Sequence, residues 1–114
     1  MNHVCLMGRL TRDPELGEAP GTGSPVTSFT LAVERPVAKD EEGRRPADFI
    51  YCVAFERLAA FIVQAFRKGQ PMAVEGRLQT RCFEEAGGGR HTSTQVQVLR
   101  VDFCGARPEG RAEA

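Results

Sequence analysis

The 114-residue chain has no tryptophan, one tyrosine and two histidines, and its 15 basic residues are matched by 15 acidic ones. His3 and His91 leave little material for general acid–base or nucleophilic catalysis. Neither a Gly-x-Ser-x-Gly elbow nor a Walker-type phosphate loop is present, so no catalytic constellation is expected. The missing basic excess argues, on bulk charge alone, against a dedicated nucleic-acid binder, and any such role has to rest on local arrangement. No stretch approaches the roughly 18 consecutive apolar residues of a membrane helix, and the opening "MNHVCLMGRL" runs directly into a strand-like pattern. Neither a transmembrane segment nor a signal peptide is expected. Cys5, Cys52, Cys82 and Cys104 make no CxxC pair, and no histidine stands at zinc-ligand spacing from them. No metal and no cofactor are expected, and reduced thiols in the cytoplasm are preferred over two disulfides in a secreted protein.

What is present fits a single domain. Its 41% hydrophobic and 26% charged residues are those of an ordinary globular protein, and the length allows one core. Val4 to Leu10 reads as a strand that breaks at Pro14, and "GEAPGTGSP" (Gly17 to Pro25) reads as a loop. Val26 to Arg35 alternates Phe29, Leu31 and Val33 against polar neighbours, a strand pattern. A charged connection, Pro36 to Pro46, then leads to a second apolar run, Ala47 to Phe55, making a long hairpin with a solvated tip.

The period changes at Glu56. Leu58, Phe61, Ile62, Ala65 and Phe66 follow helical spacing, so a helix is expected over Glu56 to Lys68. Arg67 and Lys68 would sit in its last turn, and Gly69 and Pro71 would end it. Met72 to Phe83 and Thr92 to Phe103 form a last hairpin around "EEAGGGR". The apolar phase slips near Leu99 or Arg100, which suggests a β-bulge. Three strands, a helix and two strands fit an all-β, five-stranded Greek-key barrel of the oligonucleotide-binding type, the OB-fold, with its helix between strands three and four. An open α+β sheet with the same elements is the competing arrangement. The domain is expected over 1–104, and "GARPEGRAEA" at 105–114 is expected to be a frayed tail.

The stretch "EGRLQTRCF" carries the functional signal. Along a strand, alternate side chains share a face, so Arg77, Gln79, Arg81 and Phe83 would point one way, with Leu78 and Cys82 turned inward. On the preceding strand, expected to lie beside it in the barrel, Phe49, Tyr51 and Phe55 share one parity with Val53. Basic groups that track phosphates and aromatic faces that stack bases are the two devices by which single strands of nucleic acid are held. A strand bearing Arg, Gln and Arg also suits a plain solvated face, and Phe49, Tyr51 and Phe55 would equally suit a core. Phe61, Phe66, Phe29 and Phe103 are expected in the core. Val4 to Arg9 is apolar on both faces, which makes it a candidate subunit contact.

"MNHVCLMGRLTRDPEL", "TSFTLAVERP", "ADFIYCVAFERLA", "FRKGQPMAVEGRLQTRCFE" and "VQVLRVDF", in this order, resemble the bacterial single-stranded DNA-binding protein family over Met1 to Cys104. The resemblance implies an OB-fold homotetramer that wraps single-stranded DNA without sequence specificity in replication, recombination, repair or DNA uptake, in the nucleoid-associated cytoplasm. It implies stacking by Phe49, Phe55 and Phe83; Tyr51 is expected to stack with them, although it stands at a position often polar or basic in relatives. Arg35, Arg57, Lys68, Arg77 and Arg81 would neutralise phosphates. Val37 stands where the family carries a further aromatic. The family's Gly/Pro/Gln-rich linker and acidic tip have no counterpart in "GARPEGRAEA", as expected of the DNA-binding part of a longer protein or of a short paralogue. A protein-binding OB subunit of a replication-restart complex is the alternative function.

Overall fold

Burial along Val4–Leu10 (β1) alternates, with Val4, Leu6 and Leu10 turned inward and Cys5, Met7 and Arg9 outward. The computed structural model describes residues 1–84 and 86–104, apart from the side chain of Phe83; the expected tail at 105–114 lies outside the described residues. After β1 come β2 (Gly17–Glu18), β3 (Pro25–Glu34), β4 (Ala47–Phe55), α1 (Glu56–Ala65), β5 (Pro71–Glu84) and β6 (Arg90–Phe103). The short β2 falls in the segment expected to be all loop. Gly17 and Glu18 pair with Val26 and Pro25, and the turn between them is fixed by Ala19 N–H to Ser24 O at 2.8 Å.

The strands run β1-β5-β6-β4-β3-β2, and β1 also pairs with β3 through Arg9↔Ala32 and Leu10↔Leu31. That second pairing closes β1, β3, β4, β6 and β5 into a ring, which is the OB barrel and not the open sheet. Every pairing is antiparallel except β4 with β6, which meet at Cys52↔Val96 and Val53↔Gln97. Leu31, Cys52, Ile62, Phe66, Met72 and Val96 are fully buried at the centre. Two glycines let the ring close. A Cβ on Gly8 would lie 2.6 Å from the Ala32 carbonyl oxygen, and one on Gly76 would lie 2.1 Å from that of Gln97. The expected bulge is at Leu99: Glu75 faces Arg100 and Gly76 faces Val98, which leaves Leu99 without a partner. The extra residue keeps Val96, Val98, Val101 and Phe103 on the inner side despite their change of phase.

Helix α1 ends three residues earlier than its sequence period suggests. Phe66 turns extended (φ −122°, ψ 149°), which seats its ring in the core, stacked on Phe103 with centroids 4.7 Å apart. Burial of one large ring outweighs one more helical turn. Arg67 consequently lies beyond the helix, and its Nη1 reaches back to the carbonyls of Val63 and Phe66, each at 2.8 Å, serving the carbonyl end as a cap. Gly69 has the expected positive φ of 83° and donates to Leu10 O, tying the turn to β1. Phe61 departs from the expected core position: it meets Phe66 and Phe103 edge-on but remains 45% exposed, because it lies at the rim of the helix–barrel contact.

Two other inward expectations are corrected. Leu78 is 47% exposed and Cys82 is exposed as well. Past Gly76, β5 loses β1 as a neighbour, since Val4↔Gly76 is the last pair. Asn2 extends the edge by one step, accepting from Leu78 N–H at 2.8 Å and donating to Leu78 O at 2.9 Å. Beyond it Leu78 and Cys82 lie on the part of the β5–β6 hairpin that no β1 strand pairing covers, which leaves them exposed.

Burial pushes the Cys52 thiol up to about 12, whereas Cys5 and Cys82 are exposed. Because the thiolate is the nucleophile, Cys52 is expected to stay unlabelled by iodoacetamide at pH 8.5 while Cys82 reacts. Peptide mapping of alkylated native and urea-unfolded protein reads this out, and labelling of Cys52 in the native state would contradict the packing.

Candidate nucleic-acid interface

Strand β4 has two unlike faces. Ile50, Cys52 and Ala54 point into the barrel, while Phe49, Tyr51, Val53 and Phe55 point outward. The outward aromatics are not core: Phe49 is 68%, Tyr51 46% and Phe55 38% exposed. Same-parity residues on a strand are spaced about 7 Å apart, so the three rings are distributed over roughly 20 Å. Glu56, at the joint with α1, adopts φ 60°, the one positive φ outside glycine among the described residues. This left-handed joint, costing a non-glycine residue about 1 kcal/mol, turns the chain immediately after Phe55.

The basic face of β5 is not adjacent to β4, as the sequence suggested, because β6 lies between them. The register places Arg77 opposite Gln97, Gln79 opposite Gln95 and Arg81 opposite Ser93. Gln97 in turn faces Val53 across the parallel pairing, so the β4 aromatics, the β6 glutamines and the β5 arginines share one outer surface. Gln97 Oε1 accepts from Arg77 Nε at 3.2 Å and from Gln79 Nε2 at 2.8 Å. This contact orients the Arg77 guanidinium and leaves its two terminal nitrogens pointing to solvent without a carboxylate partner among the described residues. Gln95 and Gln97 had not been singled out from sequence. The signal for them was available in "QVQV", whose glutamines share a parity opposite to Val96 and Val98.

Between β4 and β5 the surface forms an open groove of about 560 Å³, lined by Val53, Phe55, Gln79, Arg81 and Gln95 and flanked by Ala19 and Pro20 of the β2–β3 turn. An aromatic wall, a guanidinium wall and an amide floor can hold a chain of alternating flat rings and anionic groups. Among the described residues, Arg57 and Arg81 have no salt-bridge partner, and Arg57 is carried just past the Phe55 end of β4 in the first turn of α1.

Two expected phosphate ligands are placed otherwise. Arg35 is committed to Asp48: its Nε lies 3.1 Å from both carboxylate oxygens and its Nη2 2.8 Å from one. The pair holds the Asp48 carboxyl below its ordinary range and raises Arg35, chiefly through these hydrogen bonds, so at neutral pH the positive charge is already met. Lys68 belongs to the α1–β5 turn, where its backbone N–H is held by Asp13 Oδ1 at 2.7 Å. It precedes the start of β5 at Pro71, which is itself about 33 Å along the strand from Arg81. Phe83 occupies the β5 position opposite His91, at the far end of the same outward parity; its side chain lies outside the described residues.

A barrel with one aromatic and basic face has many possible owners, and sequence comparison decides among them. The model of the single-strand binding protein family matches residues 1–104. The chain belongs to that family. A single-stranded DNA-binding protein of Clostridium perfringens is 47% identical over 103 residues, which is 90% of this chain and 65% of the relative. Single-stranded DNA-binding protein 3 of Clostridium acetobutylicum is 46% identical over 103 residues, 90% of this chain and 70% of the relative. Single-stranded DNA-binding protein A of Bacillus subtilis is also 46% identical over 103 residues, covering 59% of its own length. This single-strand binding family chain therefore spans about two thirds of the length of the curated relatives it matches, and the matched part is the described barrel. No helix among the described residues is long and apolar enough to cross a membrane.

Proposed function

We propose that the outer β4–β6–β5 surface binds single-stranded DNA without sequence preference, and that the protein coats and protects such strands rather than transforming them. The observation that carries this is the row Phe49, Tyr51 and Phe55, exposed on one face of β4 and lying across β6 from Arg77 and Arg81. Bases stack on the rings, as any base can, since each has a π-face. Phosphates follow Arg77 and Arg81, with Arg57 at the Phe55 end; Phe83, by its position near the end of β5, is a further stacking candidate. Arg35 and Lys68, the one ion-paired and the other distant, contribute no phosphate contact.

Subunits meet through Val4 to Arg9 in a homotetramer. From Val4 to Gly8, β1 pairs on one side only, with β5, and its outer face exposes Met7, so an unpaired strand edge is available to another copy. Light scattering is expected to return four chains per particle. The setting is the cytoplasm, on nucleoid DNA exposed during replication, recombination, repair or DNA uptake.

The absence of tryptophan makes Tyr51, the sole tyrosine, the intrinsic reporter of its own surface. Titration with a dT oligomer is expected to quench tyrosine emission to saturation, with an affinity that falls as salt rises. Arg77→Ala should reduce the slope of log affinity against log salt by about 0.7, the value for one lost phosphate contact on a single strand, while Arg35→Ala leaves it unchanged. Tyrosine emission indifferent to dT in low salt would refute the binding surface. Equal slope changes in both variants would refute the division between Arg77 and Arg35.

A further inference from the structure

Away from the groove, three side chains of different chemistry converge on the outer face where β1 meets β5. His3 and Cys5 are two residues apart and point the same way. Glu75 is the direct cross-strand partner of Cys5. The Cys5 sulfur lies 3.2 Å from His3 Nε2, which lies 3.3 Å from Glu75 Oε2, and all three ligand atoms fall within 4.8 Å of one another. Arg100, opposite Glu75 in the register, is turned to Asp102 at 3.3 Å and leaves the Glu75 carboxylate to His3.

These separations suit a metal ion. Thiolate sulfur binds Zn²⁺ at about 2.3 Å, imidazole nitrogen and carboxylate oxygen at about 2.0–2.2 Å, and tetrahedral angles then put neighbouring ligand atoms about 3.3–3.6 Å apart. No sequence motif points to such a set, because its third member lies on a strand 70 residues downstream and is delivered only by the β1–β5 pairing. We propose that His3, Cys5 and Glu75 form a Zn²⁺ site with three protein ligands and water in the fourth position. One nitrogen, one sulfur and one oxygen donor select a borderline-soft ion over Mg²⁺ or Ca²⁺. The ion would fasten the amino-terminal end of β1 to β5, at the end of the barrel seam where Asn2 is also hydrogen-bonded to Leu78. Glu75 is about 20 Å along β5 from Arg81, so the site is separate from the groove.

The test uses the full chain, stripped with chelator and titrated with Co²⁺ as a spectroscopic stand-in, then with Zn²⁺ in competition. Expected are one ion per chain, a near-ultraviolet thiolate-to-cobalt band that Zn²⁺ abolishes, and protection of Cys5 but not Cys82 from alkylation. Cys5→Ser, His3→Gln and Glu75→Gln should each weaken Zn²⁺ binding by more than about 100-fold, the upper range for loss of a mere supporting group. In the single chain His3 and Cys5 are exposed and Glu75 is partly so, and circular dichroism melts of the stripped variants establish that they fold. Cys82→Ser should change nothing. The proposal is overturned if no thiolate band forms, if Cys82→Ser weakens binding as much as Cys5→Ser does, or if half an ion is held per chain, which would mean a site shared between copies.

Discussion

Gly76→Ala is expected to destabilise the barrel by at least about 3 kcal/mol, the upper range for forcing extra volume into packed structure. The added Cβ would stand 2.1 Å from the Gln97 carbonyl oxygen and 3.2 Å from Val98 Cα. Both obstacles are backbone, so no rotamer change relieves them. Strand β6 would have to move by about 1 Å at the one place where its register already slips around Leu99. For a domain of this size the melting temperature should fall by more than about 12 °C. Gln97 also orients Arg77, so any variant that remains folded should bind dT with a reduced salt slope too. A melt within about 3 °C of the parent would show that β5 and β6 do not approach as closely as described. Gly8→Ala, whose Cβ would meet the Ala32 carbonyl oxygen at 2.6 Å, should follow the same course less severely.

The double variant Phe49→Ala/Phe55→Ala is expected to lower dT affinity by about 2–6 kcal/mol, from two lost stacking positions of about 1–3 kcal/mol each. The residues are six apart on β4, about 20 Å, so the single effects should sum within a few tenths of a kcal/mol. Stability should change little, because both rings are exposed and the inner face of β4 remains intact. Tyr51 stays in place to report binding. Affinity within threefold of the parent would remove base stacking from the proposed function; a loss shared with thermal stability would mean that the rings serve the fold. The Arg77 comparison separates charge from stacking, since it acts on salt dependence and the phenylalanine variant does not.

Much of the barrel was legible from local pattern. Val26 to Arg35, Ala47 to Phe55 and the last hairpin alternate with period two, and the structure bounds them within two residues of the expected limits. The slip in apolar phase between Val98 and Val101 located the bulge, because an inner face has to remain apolar on both sides of an extra residue. Parity alone grouped Phe49, Tyr51 and Phe55, and likewise Arg77 and Arg81, since side-chain direction is a property of the single strand.

Which strands are neighbours is a property of the whole ring, and there the sequence was silent or misleading. It set the arginines beside the aromatics, whereas β6 lies between and supplies Gln95 and Gln97. It turned Leu78 and Cys82 inward because it could not show that β1 ends opposite Gly76. It offered Arg35 to phosphates because Asp48 becomes its neighbour only when β3 and β4 pair, and it ran α1 on to Lys68 because periodicity does not weigh one buried ring against a further turn. Local alternation, written residue by residue, determined the strands and the chemistry of each face. The meeting of His3, Cys5 and Glu75, the groove between β4 and β5 and the pairing of Arg35 were decided only by closure of the barrel, because they join residues that the chain holds far apart and that strand pairing alone brings within a few ångströms.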